Sequence, residues 1–207
     1  MHLHTLSRDH VAAGACHSLA VTTGGWLYTW GAAHCGQVGH GGYYRDHEPL
    51  WRQERQVIAR VDVQMAACGE HHTLTITSNV SLWACGTNMF DQLGLVDCYQ
   101  DDDDFKLFQN QEIQYNEWGP PDETICLSVF VRVGAAEFGN SRIVEASAGW
   151  GHSAAVTECG SLFMWGYGLN ADSESTGFGH GALLPNEYGT GKPTLIASAA
   201  LEGARIG

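Results

Sequence analysis

Three stretches of this chain match one another without gaps, and this internal repeat constrains the fold more than any other feature. They cover residues 13–31, 68–86 and 148–166. The spacing from a histidine to the last glycine of the stretch is the same in His17–Gly31, His72–Gly86 and His152–Gly166. Agreement over this length is not expected by chance, and self-similar segments are typical of repeat architectures. Each copy is therefore predicted to be one structural unit that buries its apolar surface against its neighbours.

Each copy has the pattern of a β-hairpin. In the first copy His17, Leu19 and Val21 alternate with small side chains, and the other copies keep this alternation. A period of two predicts a strand with one bulky face and one small face, and small faces let neighbouring sheets pack closely. A glycine-containing turn at residues 23–25 follows, and the return strand is apolar on both faces, which indicates burial on both sides. The copies therefore predict hairpins within a stack of sheets, as in the blades of a β-propeller.

A glycine-rich turn follows each hairpin, at residues 36–41, 91–94 and 176–181. With the preceding glycine, the His-Ser/Thr pair and the Leu-aromatic-x-Trp-Gly strand, it resembles the repeat of the regulator of chromosome condensation family. The repeat positions that carry the resemblance are Gly14, His17, Trp30, Gly31, Gly69, His72, Gly86, Gly149, His152, Trp165 and Gly166. The resemblance implies an all-β fold, a partial β-propeller of about three blades of antiparallel strands with long loop insertions, where a complete propeller of the family has about seven blades.

The chain is interpreted as a single repeat domain, 1–207. The predicted parts are repeat hairpins at 11–41, 66–94 and 144–181, an insertion loop at 98–142, and the start of a further blade at 193–207. The two ends of the chain match the same phase of the repeat, and three blades fall short of the minimum of about four for a closed propeller. We therefore expect an arc whose remaining blades are missing from this sequence or are supplied by another chain.

The middle copy departs from the common pattern. Its hairpin turn has Asn79 and Val80 where the other copies have Gly25 and Gly160. Because valine is strained at a positive φ angle, the sequence predicts a turn of different shape in this copy. Cys85 also stands where the other copies have the tryptophan of the Trp-Gly pair.

The chain is acidic, with a net charge of -13 from 10 basic and 23 acidic residues. Such a charge repels phosphate, so direct nucleic-acid binding is not expected and a basic protein partner is more compatible. The candidate partner-binding residues lie in the insertion and are Asp101, Asp102, Asp103, Asp104, Phe105, Phe108, Tyr115 and Trp118. Aromatic side chains anchor many interfaces, but a solvated acidic loop whose aromatic residues pack onto the blade explains the same composition.

We expect no catalytic, metal-binding or cofactor-binding residues. The repeat histidines are interpreted as buried side chains that hydrogen-bond the backbone of a turn. The pair His71-His72 lacks a third ligand at metal spacing, and the aspartate run 101–104 lacks the alternation of a calcium loop. Cys16 and His17 are neighbours on a strand and point to opposite faces, so they do not form a nucleophile–base pair.

The cysteine pattern predicts whether the compartment of the protein is reducing or oxidising. Seven cysteines, an odd number without a Cys-x-x-Cys pair, indicate buried free thiols in a reducing compartment rather than disulfides. No apolar run approaches the length of a membrane span, and the first residues lack the apolar segment of a signal peptide. We expect an intracellular protein (cytoplasm, nucleus or a cytoskeletal or organellar assembly) that is neither secreted nor membrane-spanning.

These observations favour a non-enzymatic protein-interaction scaffold or assembly subunit. Its expected partners are other protein subunits, including a chain that completes the propeller. The resemblance implies two alternatives: a guanine-nucleotide exchange factor for a Ran-like small GTPase, which is the founding activity of the family, or the substrate-binding or regulatory part of a larger protein such as a ubiquitin ligase. Analogy of fold alone does not rank these functions.

Overall fold

A computed structural model describes residues 10–41, 61–95, 126–167 and 191–196 in full, and 54–56 and 189–190 as backbone. They form three four-stranded antiparallel sheets, each with its strands in chain order. The first sheet contains β1 (His10–Ala13), β2 (His17–Val21), β3 (Leu27–Gly31) and β4 (Glu54–Gln56). The second contains β5 (Val63–Cys68), β6 (His72–Thr77), β7 (Leu82–Thr87) and β8 (Cys126–Arg132). The third contains β9 (Ile143–Ala148), β10 (His152–Thr157), β11 (Leu162–Tyr167) and β12 (Gly189–Leu195).

The all-β fold class and the partial-propeller architecture are confirmed. The first strands of the sheets contact one another in sequence, β1 with β5 and β5 with β9. A single 3-10 helix, Ala135–Phe138, lies between β8 and β9, and it is the only helix in the part of the chain that the structure describes. In this part there is accordingly no helix that is long and apolar enough to cross a membrane.

The sheets stack with the bulky face of one on the small face of the next. In β2 the bulky residues His17, Leu19 and Val21 are buried, whereas in β10 the small residues are buried instead. Every residue of β6, in the middle sheet, is buried. The predicted two-faced strand is therefore confirmed, and the pattern of burial follows from the position of each sheet in the stack.

The hairpin turn of the middle copy has the same form as the other two. The backbone N–H of Val80 donates to the carbonyl of Thr77 at 2.7 Å, as Gly25 and Gly160 donate to threonines three residues earlier at 2.9 Å. Val80 has a φ angle of 59°, close to the 73° of Gly25 and the 79° of Gly160. The prediction of a different turn shape is wrong, because the ladder between β6 and β7 has the same register as in the other hairpins and imposes the turn on valine.

Two predicted boundaries need correction. Strand β8 lies inside the predicted insertion loop 98–142 and pairs with β7, so the described part of that range contains blade structure. Residues 193–195, predicted to start a further blade, belong to β12, and Thr194 and Leu195 pair with β11. In both cases the outer strand satisfies the backbone groups that the hairpin leaves unpaired at its edge.

Candidate functional site on the histidine rim

One edge of the three sheets carries most of the unusual side chains. It is formed by the turns 14–16, 69–71 and 149–151, which precede the repeat histidines, by the segments that follow β3 and β7, and by the end of β11. We call it the histidine rim. The opposite edge is formed by the hairpin turns 22–26, 78–81 and 158–161 and is called the hairpin rim.

The repeat histidines connect each sheet to the next. His17 Nε2 lies 2.8 Å from the hydroxyl of Thr73 on the second sheet, and this hydroxyl donates to the carbonyl of Gln37 at 2.7 Å. A hydroxyl that donates its only proton to a carbonyl accepts from the imidazole, so Nε2 carries the proton. The second and third sheets are joined in the same way, at 2.9 Å and 2.7 Å, by His72, Ser153 and Gln92. The expected hydrogen bond from histidine to turn backbone is thus replaced by a relay through a hydroxyl, which we call the latch.

The latch histidines are neutral structural donors. Burial lowers the pKa of His17 to about 4 and that of His72 to about 3. Burial also lowers the pKa of the half-buried His152. The repeat glycine makes room for the ring, because a Cβ on Gly69 would lie 2.2 Å from His72 Cε1 and 2.6 Å from the carbonyl oxygen of Gly149. The repeat thus pairs this glycine and histidine for a steric reason.

An exposed aromatic cluster lies on the histidine rim between the second and third sheets. The ring of Phe90 is 5.0 Å from that of Trp150 and 4.7 Å from that of Tyr167. Trp150 is 53% exposed, and Met89, which precedes Phe90 in the sequence, is 44% exposed. We call these four side chains, Met89, Phe90, Trp150 and Tyr167, the aromatic patch. The sequence alone does not bring them together, because Met89 and Phe90 follow β7, Trp150 follows β9 and Tyr167 ends β11. Phe90 meets Trp150 and Tyr167 only when the second and third sheets stack.

Polar and sulfur-containing side chains occupy the corresponding place between the first and second sheets. Cys16 Sγ lies 3.6 Å from His71 Nδ1, and the rings of His34 and His71 are 5.3 Å apart. One ligand atom each of His34, Cys35 and His71 lies within 4.8 Å of the others. We call these four residues the Cys–His cluster. Cys16, the pair His34-Cys35 and His71 stand far apart in the sequence, so they form no recognisable metal-binding motif.

The pKa of Cys16, which contacts His71, is shifted in the direction opposite to that of an activated nucleophile. Burial is the largest influence on the Cys16 thiol and raises its pKa, whereas a hydrogen bond from Gln37 acts in the opposite direction. Catalytic cysteines have lowered pKa values that favour the thiolate. None of the cysteines in the described ranges is part of a disulfide.

The positions predicted from the sequence divide into two groups. All the repeat positions lie within the described strands and turns, and Trp165 is fully buried with its indole N–H donating to the carbonyl of Gln92 at 2.9 Å. The candidate partner-binding residues at 101–118 lie outside the described residues. Cys126, which begins β8 after that segment, pairs with Thr87 at the histidine rim.

Comparisons of this chain with known proteins point to one family of repeats. Two models described as the regulator of chromosome condensation (RCC1) repeat match residues 24–76 and 9–37. The chain is 28% identical over 194 residues to the ultraviolet-B receptor UVR8 of Arabidopsis thaliana, which covers 94% of this chain and 35% of the receptor. It is 40% identical over 87 residues to protein RCC2 of Mus musculus, covering 41% of this chain and 16% of that protein.

A solved structure supports the same fold. The crystal structure of Prp20p from Saccharomyces cerevisiae superimposes with a TM-score of 0.68 at 23% identity, covering 92% of this chain and 38% of that chain. Identity at this level shows the likeness of the fold. The chain spans 16–38% of the length of these three proteins.

Proposed function

Because this chain belongs to the regulator of chromosome condensation (RCC1) repeat family, we propose that it is a non-enzymatic protein-interaction module whose contact surface is the aromatic patch. The observation that carries this proposal is the exposure of Trp150 and Met89 beside Phe90 and Tyr167. Large apolar side chains that remain exposed in a cluster mark interaction sites more often than scattered ones do. Tryptophan and tyrosine are also the residues most enriched among binding hot spots.

The stacked blades give the patch a rigid support. Gly151 allows Phe90 to approach the turn closely, since a Cβ at this position would lie 2.9 Å from Phe90 Cδ2. Phe90 is also held by its backbone N–H, which donates to Gln92 Oε1 at 2.9 Å, and Gln92 is almost fully buried. A preformed apolar surface loses little conformational entropy when a partner binds, which favours affinity.

The acidic charge of the chain, -13, specifies the partner further. We expect a protein with a basic surface around an apolar contact, because complementary charge steers association and excludes acidic competitors. The structure of yeast Prp20p is described together with the binding of Prp20p to Gsp1p and histones, both of which are proteins. We propose an intracellular location on the same basis, and the acidic–aromatic segment 101–118 as a second contact.

A further blade is the partner that we propose for the end of the stack. His152 and Val156 on the bulky face of β10 are half-buried, whereas their counterparts in β2 are fully buried under the second sheet. This face is suited to a sheet that presents a serine or threonine hydroxyl, on the same polypeptide or on another chain. Val156→Arg should then prevent the assembly of the complete protein without changing binding at the aromatic patch.

The contact surface can be tested by affinity capture from cell extract with quantitative mass spectrometry. Trp150→Ala should lose the partners that the unaltered chain captures, since truncation of a hot-spot residue costs about 2 kcal/mol or more of binding free energy. Trp26→Ala is the matched control, because Trp26 is 38% exposed on the hairpin rim. Equal capture by both variants would exclude the aromatic patch as the contact surface.

Nucleotide exchange can be tested with the unaltered chain and the Trp150→Ala variant. The proposal expects no acceleration of labelled GDP release from a Ran-like small GTPase at catalytic amounts of the chain. Acceleration that survives Trp150→Ala would favour the exchange-factor alternative over the interaction module.

A further inference from the structure

The Cys–His cluster is not a product of the repeat. Counted from the last glycine of each copy, His34 and Cys35 correspond to Met89 and Phe90 of the next interface. Counted from the repeat histidine, His71 corresponds to Gly151. There the space is filled by the aromatic patch. Cysteine and histidine therefore replace apolar residues and glycine at one interface only, and no packing requirement of the repeat accounts for them.

The members of the cluster come from two sheets. Cys16 precedes β2, and His34 and Cys35 follow β3, so all three belong to the first blade. His71 precedes β6 in the second blade. A ligand held by all four would connect the two blades across their interface at the rim.

From this arrangement we propose that His34, Cys35 and His71, with Cys16 as the fourth ligand, form a structural zinc site. Imidazole nitrogen and thiolate sulfur are the ligands of tetrahedral structural zinc, whereas calcium and magnesium require oxygen. Two sulfurs and two nitrogens complete the four-coordinate set with no position left for a substrate.

The distances suit a tetrahedral ion. With Zn–S of about 2.3 Å and Zn–N of about 2.0–2.1 Å, a sulfur and a nitrogen ligand lie about 3.6 Å apart. Cys16 Sγ and His71 Nδ1 are separated by 3.6 Å. One ligand atom each of His34, Cys35 and His71 lies within 4.8 Å of the other two, so zinc binding would draw these side chains closer together.

A buried amide orients the sulfur ligands. Gln37 is fully buried, and its Oε1 accepts the backbone N–H of Cys35 at 2.9 Å. This hydrogen bond settles the orientation of the amide, so its NH2 group points to Cys16 Sγ at 3.6 Å. An N–H donor to sulfur stabilises a coordinated thiolate, and such supporting residues are a regular part of zinc sites.

Zinc and cobalt binding by the reduced, chelator-treated full chain tests the proposal. We expect one Zn²⁺ per chain, an increase in the unfolding midpoint with Zn²⁺, and, with Co²⁺ alone, a thiolate-to-cobalt charge-transfer band with tetrahedral ligand-field bands. Cys35→Ser and His71→Gly should weaken zinc binding by about tenfold or more. His71→Gly introduces the residue that stands at the equivalent position of the next interface, Gly151.

The controls separate a site from adventitious binding. Cys159→Ser removes an exposed cysteine on the hairpin rim and should bind Zn²⁺ like the unaltered chain. Circular dichroism checks that each variant is folded, and if a variant unfolds, the cobalt spectrum and the zinc-dependent midpoint of the unaltered chain decide. Absence of stoichiometric binding, a cobalt spectrum without the thiolate band, or binding that is the same after Cys35→Ser would each overturn the proposal. The aromatic patch is not involved, so the outcome is independent of the proposed function.

Discussion

Removal of the Ser153 hydroxyl tests whether the latch holds the second and third sheets together. Ser153 Oγ accepts from His72 Nε2 at 2.9 Å and donates to the carbonyl of Gln92 at 2.7 Å. In Ser153→Ala the carbonyl keeps the indole N–H of Trp165, at 2.9 Å, and stays satisfied. His72 Nε2–H, on a side chain with 0% exposure, loses its acceptor.

The expected cost follows from these two losses. One neutral hydrogen bond contributes about 1 kcal/mol, and a buried donor left without an acceptor costs a further 1–3 kcal/mol or so. Ser153→Ala should therefore lower the free energy of unfolding by about 2–4 kcal/mol. In a His72→Phe background the orphaned donor is absent, so the same substitution should cost about 1 kcal/mol. The difference is a coupling energy of about 1–3 kcal/mol.

Urea unfolding of the four proteins, followed by tryptophan fluorescence and circular dichroism, gives this coupling energy. The first interface provides a replicate: Thr73→Val removes the hydroxyl that accepts from His17, whereas Thr73→Ser keeps it. Thr73→Val should lower the free energy of unfolding, and Thr73→Ser should leave it nearly unchanged. A coupling energy within about 0.5 kcal/mol of zero, the range found for independent sites, would refute the latch as a unit. Equal effects of Val and Ser at Thr73 would do the same.

Three further predictions concern single side chains. Val80→Asn should raise the free energy of unfolding by about 1 kcal/mol, because valine is strained at a φ of 59° and asparagine tolerates it, as Asn140 does at the same angle; Val144→Asn, on an exposed strand position, should not stabilise. Trp165→Ala should cost about 3–5 kcal/mol in urea unfolding, since it empties a fully buried site, and a loss below about 1 kcal/mol would contradict the described packing. Hydrogen bonds from Thr157, and next from Ser161, lower the pKa of Cys159 to about 7. The rate of alkylation of Cys159, followed by mass spectrometry, should therefore rise through pH 7 as the thiolate forms. A midpoint near pH 9 would show an unperturbed thiol.

The regular part of this fold could be predicted from the sequence because alternation and spacing recur in each copy. The hairpins around His17, His72 and His152 follow from a period of two and equal lengths. The outer strands β8 and β12 lie in segments for which the sequence predicts an insertion loop and the start of a further blade. Insertions separate these strands from their hairpins, and only their pairing with β7 and β11 identifies them. Val80 shows the opposite case, in which local preference was clear but the ladder on either side determined the turn.

The candidate sites could not be predicted in the same way, because each is formed between copies. The acceptor of His72 is on a different sheet, and its identity depends on which face of β10 is turned toward β6. Likewise Phe90 meets Trp150, and His34 meets His71, only after the sheets stack. Repetition therefore specifies the stack, while contacts across it require the stacking order.

Comparison of the two interfaces between the sheets distinguishes the side chains needed for stacking from those available for binding. They share the latch, with the same hydroxyl relay and similar distances, so the latch is the part that any blade in the stack requires. They differ on the histidine rim, where one has the Cys–His cluster and the other has the aromatic patch. Side chains that differ between otherwise equivalent interfaces are not needed for stacking, and their chemistry is free to serve binding. A position-by-position comparison of the copies thus identifies, within one chain, the residues at which function is to be sought.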